Sequence, residues 1–199
     1  DILKPLKLER AMTDIAEKLD NIINDIDTNK VIELATRISQ DADFGKFVFR
    51  ADNQWIDGSR SRTFIKNFYA GGGERTERIN ALTVDADQPT FLAGQNTAPN
   101  AVEHCLNALT SCLNTTLVYH ASVQGIPLEK VDISAEGQLN AAGFFGISDD
   151  VNRGYEKVTV EMKVKSPAEE ETLRKLAMYS PVYEMVSKAI PVELNIQVE

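Results

Sequence analysis

The chain has 199 residues, 43% hydrophobic and 26% charged, enough to bury a core in one domain, or in one domain with an extension. Its 30 acidic and 21 basic side chains give a formal charge of −9, a surface that repels phosphate backbones and anionic lipid, so neither nucleic acid nor membrane is an expected partner. No run approaches the roughly 20 apolar residues of a spanning helix. The opening Asp1-Ile2-Leu3-Lys4-Pro5 does not read as a signal sequence, and two cysteines are too few for a disulfide framework, so the cytoplasm is the expected compartment.

In chain order, Leu8, Met12, Ile15, Leu19, Ile22, Ile23 and Ile26 recur at three- and four-residue spacing and predict an amphipathic helix. Asp27-Thr28-Asn29 supplies a break and a cap, and Val31, Leu34, Ala35 and Ile38 predict a second helix. Residues 1–43 are expected to form a helical extension on a main domain spanning 44–199. Phe47, Phe49 and Trp55 suggest a strand, Asp57-Gly58 a turn, and residues 62–69 a second strand that Gly71-Gly72-Gly73 ends. Residues 81–85 read as a third strand, followed by a loop with Pro89 and Gly94.

Residues 100–124 predict one long helix carrying Val102, Cys105, Leu106, Leu109, Cys112, Leu113, Leu117 and His120. Glu103 is its only acid, and it has no Lys or Arg. So little charge on any face predicts burial all round, with Gly125 and Pro127 as the stop. Residues 131–138 and 155–165 alternate as strands joined through Gly143, Gly146 and Gly154. Ser166-Pro167 and Ser180-Pro181 each predict a helix start, and residues 191–198 a closing strand. The expected fold class is α+β with mainly antiparallel sheet.

Cys112 lies mid-helix, away from the helix dipole, so a nucleophilic role requires a cation from elsewhere. The arginine-rich stretch holding Arg60, Arg62, Lys66, Arg75 and Arg78 is the candidate source, and Arg60 and Arg62 share one side of a strand. The plain alternative is that Cys112 fills space as a small hydrophobe, as Cys105 is expected to do. The two cysteines cannot pair within the helix, because seven residues rise about 10 Å. His104 and His120 have no ligand spacing with each other or with Cys112, and no phosphate-binding glycine loop is present, so neither metal nor cofactor is expected.

The run Ala98-Pro99-Asn100-Ala101-Val102-Glu103-His104-Cys105-Leu106-Asn107-Ala108-Leu109-Thr110-Ser111-Cys112 resembles the central-helix signature of the OsmC-like proteins. That superfamily includes the osmotically inducible protein C and the organic hydroperoxide resistance protein. Gly125-Ile126, Glu136-Gly137, Gly143 to Gly146, Ser180-Pro181-Val182 and Pro191-Val192 follow in the same order. The resemblance implies an intertwined homodimer with two central helices wrapped by antiparallel sheets. It further implies a cysteine at the position of Cys112 that attacks a hydroperoxide, held as thiolate by an arginine (Arg60 or Arg62) and a glutamate of the first helical turn. The glutamate position falls on Val102, with Glu103 adjacent as a site candidate or as a structural residue of a Pro-x-x-x-Glu pattern. The resolving cysteine falls on Ser180, which leaves an external dithiol as the implied reductant. A homodimer that binds a small hydrophobic molecule without catalysis is the alternative, and pure packing by Cys112 a third reading.

Overall fold

The computed structural model describes residues 21–188 and Val192. The periodic set from Leu8 to Leu19 and the expected closing strand lie outside the described residues, Val192 excepted. The chain divides into two compact units, one ending at His104 and the other starting at Cys105.

In the first unit the expected helix over Ile22, Ile23 and Ile26 is instead a tight hairpin. Strand β1 (Ile22–Ile23) turns back onto β2 (Ile26–Asp27), with Ile23 facing Ile26. Asn24 and Asp25 adopt φ of 50° and 59°. Two successive left-handed residues close a two-residue turn of the mirror type, which Asn and Asp tolerate through local hydrogen bonding. Asp27 then caps α1 (Thr28–Gln40) by accepting from the Lys30 amide, as the sequence suggests. The Arg37 guanidinium lies 4.0 Å over the Phe44 ring beyond the helix end.

A three-stranded antiparallel sheet follows, in the order β3 (Asp52–Asp57), β4 (Arg60–Ile65), β7 (Leu82–Ala86). Phe47 and Phe49 fall before β3, where only Val48 forms an isolated bridge, to Tyr69. The single strand expected over 62–69 is broken at Lys66-Asn67. Its second part, β5 (Phe68–Ala70), pairs with β6 (Gly73–Arg75), so the triple glycine forms a hairpin turn and the start of β6 rather than an end. Pairing of Gln54 with Arg62 and of Arg62 with Asp85 puts these three on one sheet face.

Helix α2 (Ala101–Val123) begins in the first unit and runs into the second. Its end is a Schellman motif. The Ile126 amide donates to Ala121 O (2.9 Å) and the Gly125 amide to Ser122 O (3.0 Å), with Gly125 at φ 71°, where a side chain would be strained.

Among the described residues, the main cluster of buried hydrophobic side chains lies in the second unit. Leu109, Leu113, Leu117 and Ala121 of α2 are buried with Leu176 and Ala177 of α4 (Glu170–Ala177). They rest on a hairpin of β8 (Lys130–Leu139) and β9 (Tyr155–Lys165). Its register pairs Val131 with Val164, Ile133 with Met162 and Ala135 with Val160, so one face supplies apolar cover and the other carries charge. A one-turn helix, α3 (Ala141–Phe144), sits in the β8–β9 connection. α4 starts later than Ser166-Pro167 suggests: the Ser166 hydroxyl donates to Pro127 O, so the helix opens after Glu169. At α5 (Pro181–Ser187) the expectation holds, and Ser180 caps it.

Burial of α2 all round is not what one chain shows. Asn107, Ala108, Ser111, Asn114, Thr115 and Tyr119 are exposed, a flank without charge that a single copy leaves open. None of the described helices is long and apolar enough to cross a membrane.

Candidate functional site

α2 carries both cysteines, each free and half-buried. At about 100° per residue, Cys112 stands at the border between the buried stripe (Leu109, Leu113, Thr116, Leu117) and the open flank (Ala108, Thr115, Tyr119). Its helical neighbours at three and four residues are Ala108, Leu109, Thr115 and Thr116, all small or apolar and none charged.

The candidate arginines come from the first unit, where carboxylates hold Arg60 and Arg62. Arg62 makes two parallel hydrogen bonds to Asp85, Nε to Oδ1 at 2.6 Å and Nη2 to Oδ2 at 2.8 Å. This fork raises the Arg62 pKa above its ordinary value and lowers that of Asp85, in each case chiefly through the shared hydrogen bonds. Arg60 makes one bond, Nη1 to Asp57 Oδ2 at 3.1 Å. Arg75 donates to Ala70 O and Arg78 to Lys66 O, so both brace backbone.

Glu103 has a clear local role. Its Oε2 accepts from the Asn100 amide (2.8 Å), and Asn100 Oδ1 accepts from the Glu103 amide (2.9 Å), the reciprocal arrangement of a capping box. Nine residues further on, Cys112 lies about 180° around the helix and roughly 13 Å along it. Within one chain the two side chains therefore leave α2 on opposite sides.

Ser180 is buried, 1% exposed, and its Oγ accepts from the Tyr183 amide at 3.1 Å. It sits at the joint of α4 and α5, whose Ala177, Val182 and Tyr183 pack in the same cluster as Leu109 and Leu113. His120 stacks on Tyr179 with ring centroids 4.8 Å apart, and burial lowers its pKa. His104 Nε2 lies 2.9 Å from Asp85 O. Among the described residues no three His, Cys, Asp or Glu side chains gather as a metal site.

Sequence reasoning passed over Asp87, a tightly held polar group of the first unit. It is 1% exposed. Its Oδ1 accepts from Ser59 Oγ (2.7 Å), the Gln88 amide (2.8 Å) and the Gln95 amide (3.4 Å), and its Oδ2 from the Thr97 amide (3.0 Å) and Thr97 Oγ1 (2.9 Å). These donors, the Thr97 amide first, hold its pKa well below the usual carboxylate range. The enclosed loop folds so closely that a Cβ on Gly94 would lie 1.9 Å from Gln88 O. The one sequence signal was an Asp two residues before a Pro, followed by a Gly-Gln-Asn turn.

A protein-family model described as OsmC-like protein matches residues 94–195, just over half of the chain. Solved structures agree on the fold. An OsmC-like protein from Mycoplasma pneumoniae superposes with a TM-score of 0.53 at 12% identity, covering 71% of this chain and 88% of that one. An osmotic stress induced and detoxification response protein from Psychrobacter arcticus 273-4 gives 0.51 at 14% identity, covering 67% and 85%. No curated protein matches the chain.

Proposed function

Because the chain belongs to the OsmC-like family, we propose that it is a homodimeric thiol peroxidase of the oxidative-stress type, with Cys112 as nucleophile. The observation that carries this reading is a free, half-buried cysteine at the edge of an open, uncharged helix flank, inside the segment that matches the family. Residues 44–199 form the peroxidase domain and residues 1–43 its extension.

In this mechanism the Cys112 thiolate attacks the distal oxygen of an organic hydroperoxide. The S–O bond forms as the O–O bond breaks, and the alcohol leaves with a proton. One sulfur of an external dithiol then displaces water from the sulfenic acid. Its second sulfur releases Cys112 as thiol and leaves with the dithiol oxidised to a disulfide. Ser180 has no sulfur to resolve the intermediate itself, so this reading draws the reducing thiols from an external partner. Of the two arginines, Arg60 is the better thiolate partner. The Arg62 fork is closed on Asp85, whereas Arg60 spends one nitrogen on Asp57. Glu103 contributes by fixing the start of α2.

Consumption of an organic hydroperoxide with a supplied dithiol tests the reading. Cys112→Ser is expected to abolish turnover and Cys105→Ser to retain it; unchanged consumption by Cys112→Ser would end the proposal. The buried, capping Ser180 favours one other reading, a dimer of this fold that holds a small hydrophobic molecule without turning it over. Native mass spectrometry showing a retained ligand, with no peroxide consumption, would select it.

A further inference from the structure

The turn that carries Arg60, residues 57–60 between β3 and β4, is held from outside at two points. Ser59 Oγ donates to buried Asp87 at 2.7 Å, and Gln95 Nε2 donates to Asp57 Oδ1 at 3.3 Å. The second link matters because Asp57 uses its other oxygen, Oδ2, to hold Arg60 at 3.1 Å. Gln95 is in turn anchored through its own amide to Asp87 Oδ1 at 3.4 Å. One carboxylate, out of water and saturated with donors, thus governs both the backbone beside Arg60 and the side chain that orients its guanidinium. An acceptor sunk among five donors is costly to move, since any displacement leaves several buried groups unsatisfied.

We infer that Asp87 is a positioning residue for Arg60, setting the guanidinium through Ser59 on one side and through Gln95 and Asp57 on the other. Its bearing on catalysis rests on the reading of Arg60 as partner of Cys112, but its action on Arg60 does not. The contrast with Arg62 sharpens the inference. Arg62 is held by a residue of the neighbouring strand in a direct fork, whereas the hold on Arg60 runs through the loop that leads into α2. Release of that loop should free Arg60 and leave Arg62 fixed.

The test is chemical modification of arginine by phenylglyoxal in the full-length protein, followed residue by residue by peptide mass spectrometry. Ser59→Ala and Gln95→Ala each cut one link while leaving the buried carboxylate in place. Each is expected to speed modification of Arg60 several-fold without changing Arg62, and Ser59→Thr, which keeps the hydroxyl, to restore the slow rate. Thr97→Val removes one donor from the far side of Asp87 and spares both links, so it serves as the control for general loosening. Arg60 rates unchanged in Ser59→Ala and Gln95→Ala, or raised equally by Thr97→Val, would overturn the inference. The alkylation rate of Cys112 at pH 6.5 in Arg60→Ala tests the underlying reading separately: a slower rate supports it, and an unchanged rate removes it while the modification result stands.

Discussion

Asn100 and Glu103 exchange hydrogen bonds across the first turn of α2, each side chain accepting from the other's backbone amide at 2.9 and 2.8 Å. The pair satisfies two amides that the helix itself leaves open. Within one chain the carboxylate leaves the helix on the side away from Cys112.

Glu103→Ala should therefore lower stability by about 0.5–1 kcal/mol, while Glu103→Gln, which can close the same box, should stay near the parent. Urea unfolding of both variants checks this. Peroxide consumption per folded molecule should be the same in the two.

Leu117 is fully buried in the cluster that joins α2 to the β8–β9 hairpin and α4. Leu117→Ala is expected to cost about 2–5 kcal/mol through lost burial and a residual cavity, read as a fall in the urea midpoint. A loss under 1 kcal/mol would place Leu117 outside any tightly packed core.

His120, stacked on Tyr179, has its pKa lowered from 6.5 by burial. The folded form thus binds a proton less readily than the unfolded chain, so stability rises with pH through this window. The contribution is complete above the unfolded value and is lost as the pH falls through 6.5 toward the lower folded value. His120→Gln should flatten the dependence of the unfolding midpoint between about pH 5 and 7. An unchanged slope would assign it to other groups.

Ala108 lies on the open flank of α2, one turn before Cys112. If two copies meet through that flank, as the proposed dimer requires, Ala108→Arg puts an unpaired charge into the contact and should yield monomer in light scattering. A dimer of unchanged size would move the contact elsewhere.

Much of this was legible in the sequence because it depends on local periodicity. The bounds of α2, the alternation of β8 and β9 and the Ser180 cap each follow from a few neighbouring residues. The hairpin at Ile22–Asp27 was missed because Ile22, Ile23 and Ile26 fit a helical period as well as a tight turn, and the deciding residues were the two polar ones between them, Asn24 and Asp25. Asp87 was missed for a different reason. Its donors Ser59 and Thr97 lie 28 and 10 residues away in sequence, and only the folded loop brings them to one carboxylate. The Arg62–Asp85 fork likewise needed the strand register, which composition does not disclose.

If the proposed dimer forms through the bare flank of α2, that flank sets how two copies of this chain recognise one another. Their shared excess of nine negative charges pushes them apart at long range, and residues 107–119 hold no Asp, Glu, Lys or Arg to steer them into alignment. Selectivity at that surface then rests on shape and short-range contact alone. Added electrolyte should hasten their encounter by screening the repulsion, yet leave the lifetime of the joined pair almost untouched.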